Sequence, residues 1–230
     1  MEKERVLIGF DFSVNKPACC IVFRNEIHFM FWPLSLSKNE EKAYNETDIY
    51  VFNRNLSSIS KKSNLTASQM VREHTERSRN LAGFIVEDLD RMFYRWYKVN
   101  IGEVDMYVAT EGLSFGSSGN SALDLATYKG VFLASLIDEW PDVVLETYAP
   151  ISIKSVAGCS KKAVSGEKEP MIEAFLREDK IKCLFRDMLR DGKLRAKTNY
   201  IHGVDDIVDS YWTVKTLYKK SGMNGIDILE

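Results

Sequence analysis

The sequence predicts an α/β domain with a mixed five-stranded sheet flanked by helices. Three observations carry this. Short β-branched and aromatic runs stand at 5–13, 18–24 and 26–32, the last two separated only by the polar Arg24-Asn25-Glu26 break of a hairpin. Next comes a long segment, about 66–98, in which apolar residues recur every three or four positions. Strand-like and helix-like segments then alternate at 104–111, about 121–138, 143–148 and about 205–219, a pattern that builds a sheet covered by helices. The 230 residues are 45% hydrophobic, enough to bury a core without staples. The reading is one domain over 1–230 with an irregular insertion at about 34–65.

Each element has a local reason. Residues 5–13 form an apolar strand interrupted by Asp11 between Phe10 and Phe12. Pro33 ends the hairpin, and the polar stretch 34–65 has little periodicity. Thr66 and Gln69 have the spacing of a capping box. Met70, His74, Leu81, Phe84, Ile85, Leu89, Met92, Phe93 and Trp96 then mark one helical face. Residues 104–111 read as a strand, and a Gly/Ser loop runs from Gly112 to Gly119. Ser121 and Asp124 cap the next helix, which runs to about Asp138. Pro141 precedes the strand at 143–148, and residues 151–200 read as polar and helical in pieces. His28 and His74 fall on apolar patterns and are expected to pack. Trp32, Trp96 and Trp212 read as core or dimer-interface aromatics.

Composition narrows the function classes. The formal net charge is -2, so bulk charge does not announce a nucleic-acid binder, although a local basic stripe fits within such a total. Cys19, Cys20, Cys159 and Cys183 have no CxxC or Cys/His spacing, which argues against a disulfide framework or structural zinc and for a reducing compartment. The first apolar run is too short for a signal peptide, and no run reaches membrane length. The expectation is a soluble cytoplasmic protein.

Acidic residues stand at element edges. Asp11 lies in the first strand, Glu111 closes the fourth, and Asp205, Asp206 and Asp209 open the last helix. Asp206 and Asp209 share a face at i,i+3, as do Asp205 and Asp209 at i,i+4. Singly, each has a bland explanation: a salt-bridged core acid, a surface strand end, or dipole-favoured acids in a first turn. If they converge at one sheet edge, their mutual repulsion calls for hard cations, and oxygen ligands suit Mg²⁺ or Mn²⁺.

The neighbouring residues resemble the RuvC-type Holliday junction resolvases. Glu111 leads into Gly-Leu-Ser-Phe-Gly-Ser-Ser-Gly-Asn-Ser-Ala-Leu and then Tyr128-Lys129-Gly130-Val131. Glu146-Thr147-Tyr148-Ala149-Pro150 with Ile153-Lys154 is similar to that family's Tyr-Ala-Pro strand end. Gly158 to Lys168 looks like a lengthened form of its basic loop. Val204-Asp205-Asp206-Ile207-Val208-Asp209 is similar to the closing Asp-x-x-Asp helix, and Asp11 matches the first-strand Asp. The likeness runs through about 105–176 and 203–217, and more faintly through 5–32.

That resemblance implies a ribonuclease H-like fold, a homodimer, and Mg²⁺-dependent hydrolysis of phosphodiesters in four-way DNA junctions by paired incisions, with Mn²⁺ as substitute. Asp11, Glu111, Asp206 and Asp209 would be both catalytic and metal-binding, with Asp205 able to replace or assist Asp206. The family aromatic falls at Ser114 here and Phe115 follows it; Phe115 would either stack on bases or pack within the loop. Residues 151–200 hold twelve basic and seven acidic side chains, a local excess of the kind that binds phosphates. Lys154, Lys161, Lys162 and Lys168 are the candidate DNA contacts, and Lys168 could also steady charge on the phosphate. His202 is open between proton transfer and a plain surface role. A compact, divergent resolvase of this kind fits a phage or mobile element, acting in the nucleoid or in the host cytoplasm. Alternatives are a RuvC-like nuclease for other branched DNA or RNA and a non-cleaving junction binder. An actin-like ATP-dependent phosphotransferase would need a glycine-rich loop where Ser13-Val14-Asn15-Lys16 stands.

Overall fold

The structure, a computed structural model, describes residues 3–13, 15–53, 66–112, 119–159, 168–196 and 199–230. Its first strand, β1 (Glu4–Asp11), sits in the interior of the sheet because it is apolar on both faces: Val6, Leu7, Ile8 and Phe10 have no exposed surface. β2 (Ala18–Phe23) runs back antiparallel beside it, and β3 (Glu26–Phe31) pairs antiparallel with β2. The turn between them places Arg24 and Asn25 at φ 52° and 59°, the two-residue geometry whose twist suits a hairpin.

The segment read as an irregular insertion contains two regular elements. Helix α1 (Lys38–Asn45) starts at a complete Ser37/Glu40 capping box, and β4 (Ile49–Val51) pairs parallel with β3. Among the described residues the sheet therefore has six strands where five were expected, in the order β4-β3-β2-β1-β5-β6. Both additions escape sequence patterning for the same reason. In α1 only Tyr44 is buried, and three-residue β4 buries only Ile49, so neither generates a repeat. The rest of that segment, 54–65, lies outside the described residues.

Helix α2 (Ala67–Met92) begins at the Thr66/Gln69 capping box and ends in a π-helical turn, Phe93–Tyr97, followed by left-handed Lys98. β5 (Val104–Glu111) pairs parallel with β1. Helix α3 (Gly119–Glu139) starts slightly before Ser121, and β6 (Val144–Tyr148) pairs parallel with β5. Short helices α4 (Pro150–Val156), α5 (Glu169–Leu176) and α6 (Leu184–Arg190) follow. A small hairpin, β7 (Arg195–Ala196) with β8 (Asn199–Tyr200), leads into α7 (Val204–Lys220).

The sheet divides two cores. On one side Val6, Ile8, Phe10, Cys19 and Ile21 pack against Leu81, Ile85 and Leu89 of α2 and Tyr128, Phe132 and Leu136 of α3. Phe132 makes an edge contact with Phe10 at 4.7 Å and stacks on Phe12 at 4.8 Å. On the other side Leu7, Cys20, Val22 and Phe29 meet α7 and the short helices. Each such aromatic or aliphatic burial contributes about 1.5–3 kcal/mol. Trp32 and Trp212 are core residues: Trp32 donates to Asp88 (3.0 Å) and Trp212 to the Met171 carbonyl (3.1 Å). Trp96 is exposed and lies against Tyr50, with ring centroids 3.9 Å apart. His28 and His74 are half-buried, His28 among the rings of Tyr50, Trp96 and Tyr97, and His74 beside Tyr128. All four cysteines are buried free thiols. Among the described residues no helix is long and apolar enough to cross a membrane.

Helix α7 crosses β1 so closely that only glycine fits beneath it. A Cβ on Gly9 would fall 2.3 Å from the Val214 nitrogen and 2.4 Å from the Ser210 oxygen. This contact sets where the start of α7 lies relative to the end of β1, and the candidate site depends on that placement.

Candidate active site

The site is assembled from strand register outward. Phe10 is the register partner of Thr110 in parallel β1 and β5, so Asp11 and Glu111 leave neighbouring strands side by side at their carboxyl ends. Open α/β sheets bind ligands at this edge. Helix α7 begins over the same edge, with Asp206 and Asp209 one turn apart. Its start is fixed by Gly203, whose φ of 93° and closeness to the Phe31 ring (2.2 Å from a built Cβ) leave no room for a side chain.

Electrostatics confirm that the four carboxylates share one neighbourhood. Burial pushes the Asp11 carboxyl well above its usual range, and the charges of Asp206, Asp209 and Glu111 push it further. Asp209 is raised to about 7, first by burial and then by Glu111 and Asp206, while Lys168 and Lys154 pull the other way. Burial also raises Glu111, against the opposing pull of Lys154 and Lys129.

Of the two adjacent aspartates, Asp206 is the one whose charge acts on Asp11, and it is buried. Asp205 is turned toward cations and forms an ion pair with Lys168. A second lysine, Lys16 in the β1–β2 connection, reaches Asp206 at 2.6 Å and Asp205 at 3.7 Å. The Oδ2 atoms of Asp205 and Asp206 are closed off from solvent and lack any hydrogen-bond partner among the described residues, and the ammoniums of Lys16 and Lys168 face their charge. Lys129 of α3, also buried, donates to the main-chain carbonyl of Glu111 and fastens the end of β5. Sequence reading missed both of these lysines as site residues. Lys16 follows Asp11 by five positions and Lys129 lies in the Lys-Gly-Val step, but which way either points depends on tertiary packing.

The α1 segment braces the same edge. Tyr44 donates its hydroxyl to the His202 carbonyl (2.7 Å), and the His202 amide donates to Glu40 (3.2 Å). His202 is exposed, and burial of part of its ring together with Lys16 lowers its pKa. Farther out, Asp48 accepts from the Leu184 and Phe185 amides (2.7 and 2.8 Å) and caps α6 from a remote position.

The donor set suits a hard divalent cation: all oxygen, buried, and mutually repulsive without a counter-charge. As the side chains stand, no group of three His, Cys, Asp or Glu among the described residues is posed to hold an ion, and Lys16 and Lys168 take up part of the acidic charge. Of the candidate DNA contacts, Lys154 and Lys168 act electrostatically on this cluster, whereas Phe115, Lys161 and Lys162 lie outside the described residues. A cavity of about 410 Å³ opens at the opposite, amino end of β1, lined by Lys3, Glu4, Arg24 and Asn224, and touches none of the carboxylates.

This edge defines the class: an α/β domain with a mixed sheet and an acidic cluster at the carboxyl ends of its central strands. No protein-family model and no curated protein sequence matches the chain. Solved structures are similar to it at low identity. The Thermus thermophilus RuvC structure is 13% identical over 94% of this chain and 96% of that one, with a TM-score of 0.47. T. thermophilus RuvC in complex with a Holliday junction substrate is 12% identical over 95% and 97%, TM-score 0.48. The yeast mitochondrial Holliday junction resolvase Ydc2 is 10% identical over 94% and 78%, TM-score 0.42.

Proposed function

We propose that this chain is a divalent-metal-dependent endonuclease that resolves four-way DNA junctions. One observation carries the reading: carboxylates from the first strand, the fifth strand and the last helix gather at a single sheet edge. Buried acids left in mutual repulsion are costly, and a site that gathers them implies a cationic ligand. The ordered RuvC-like motifs around Glu111, Tyr148 and Asp206 support the substrate class.

In this mechanism Asp11, Glu111, Asp206 and Asp209 would hold Mg²⁺, or Mn²⁺ in its place, and the bound ion would supply Lewis-acid polarisation of the phosphodiester and lower the pKa of water. Lys129 keeps the Glu111 backbone fixed, so that the carboxylate presents from a rigid strand end. Lys154 and Lys168 stand beside the acids and neutralise the backbone phosphates that must approach them. A two-fold dimer would put two such sites on opposite strands of one junction and give paired incisions, and light scattering tests that arrangement.

A second reading, a junction binder that does not cut, has one observation in its favour: the cluster's acids are partly met by lysines, and no three of them are posed on one point. One assay separates the two. Four-way junctions are incubated with Mg²⁺ or Mn²⁺ and the wild-type, Asp11→Asn or Glu111→Gln protein. The nuclease reading expects symmetric nicks by the wild type and none by either variant. Tight binding without nicking in either metal would establish the second reading, and unchanged cleavage by the variants would overturn the site.

A further inference from the structure

The β1–β2 connection is held from both sides. The Asn15 carbonyl accepts from the Leu34 amide (2.9 Å), the Pro17 carbonyl from the Trp32 amide (2.9 Å), and the Lys16 amide donates to Ser13 Oγ (3.0 Å). The Asn15 side chain also accepts from Arg77 of α2 (3.0 Å). The Lys16 backbone is therefore fixed, and its side chain is directed across the sheet edge to the first turn of α7. There its ammonium lies 2.6 Å from Asp206 and 3.7 Å from Asp205. Asp206 is the acid of this pair whose charge acts on Asp11. Lys16 thus puts a single positive charge on the buried oxygen that an incoming cation would need.

Resting on the metal-dependent reading above, we propose that Lys16 is a built-in counter-ion that competes with the divalent cation for Asp206 and sets the concentration at which the site loads. An ammonium offers one charge and three donors on a flexible stem, enough to hold the acids together while no cation is bound. A divalent ion offers twice the charge and can be ligated by several carboxylates at once, so it displaces the ammonium once its concentration is sufficient. Without Lys16 the competition disappears. If Lys16 were merely a structural tie between the β1–β2 connection and α7, its loss would loosen the acids and weaken ion binding. The two roles thus predict opposite signs.

The test is Mn²⁺ binding to the full chain by isothermal titration calorimetry without DNA, for wild type, Lys16→Met and Lys16→Arg. Competition predicts that Lys16→Met binds Mn²⁺ about tenfold more tightly, a difference of about 1.4 kcal/mol, while Lys16→Arg stays near wild type. Thermal melts with chelator should show Lys16→Met less stable than wild type, and the gap should close with Mn²⁺. Equal or weaker binding by a folded Lys16→Met overturns the competitor role but leaves the metal site standing. Failure of wild type and variant alike to bind Mn²⁺ overturns the metal site and this inference together. Should Lys16→Met not fold, Lys16→Gln is read by the same criteria.

Discussion

Asp209→Asn should stabilise the metal-free protein at alkaline pH and flatten its pH dependence. The wild-type carboxyl is raised from 3.8 to about 7. A raised acid binds its proton more tightly in the folded than in the unfolded chain. Stability is therefore greatest below the unfolded value, falls as pH climbs from about 4 to about 7, and stays low above that. The full shift corresponds to about 4 kcal/mol for an isolated group. Asp209 keeps some solvent contact, so a gain of about 2 kcal/mol at pH 8 is the working expectation. Chemical denaturation with chelator from pH 4.5 to 8.5, followed by tryptophan fluorescence, reads it directly. The wild-type and variant curves should converge near pH 4.5 and separate as pH rises. Divalent ion at a hundredfold excess over its Kd should restore about 2.7 kcal/mol to the wild type at pH 8 and much less to the variant. Parallel curves across the whole range would refute the claim that these acids repel one another in the folded state.

Two further outcomes test the scaffold. Gly9→Ala should cost about 3 kcal/mol or more in urea denaturation, because the added carbon meets α7 backbone at 2.3 Å and backbone cannot swing aside as a side-chain tip can; a loss under about 1 kcal/mol would mean that α7 does not cross β1 there. Asp48→Ala should cost about 1 kcal/mol through loss of the α6 cap, with the calorimetric midpoint as readout, and an unchanged midpoint would detach the α1–β4 segment from α6.

Much of this architecture could be read from the chain. The strands bearing Asp11 and Glu111 announce themselves through apolar runs, and α2 through its capping box and stripe. Asp11 and Glu111 could be nominated because they interrupt or end apolar strands, and Asp206 and Asp209 because they open the last helix in a pattern that resembles the RuvC-type closing helix. Sequence could not supply the charges opposing them. Lys16 and Lys129 look like ordinary surface lysines until the β1–β2 connection is tied down and α3 packs on β5. The Asp205/Asp206 ambiguity was of the same kind: both sit in one helical turn, and only the placement of that turn over β1 turns Asp206 to Asp11 and Asp205 to Lys168. Helix α1 and β4 were illegible because their stability comes from contacts distant in sequence, Tyr44 to His202 and Asp48 to α6, and not from any repeat of their own.

The most direct test of the central claim is anomalous diffraction from crystals of the wild type and of Asp206→Asn soaked in Mn²⁺. The account predicts a manganese peak ligated by Asp11, Glu111, Asp206 and Asp209 in the wild type, with Lys16 swung away, and a lost or weakened peak in the variant. Manganese bound elsewhere, with these four carboxylates unligated and Lys16 still seated on Asp206, would contradict it.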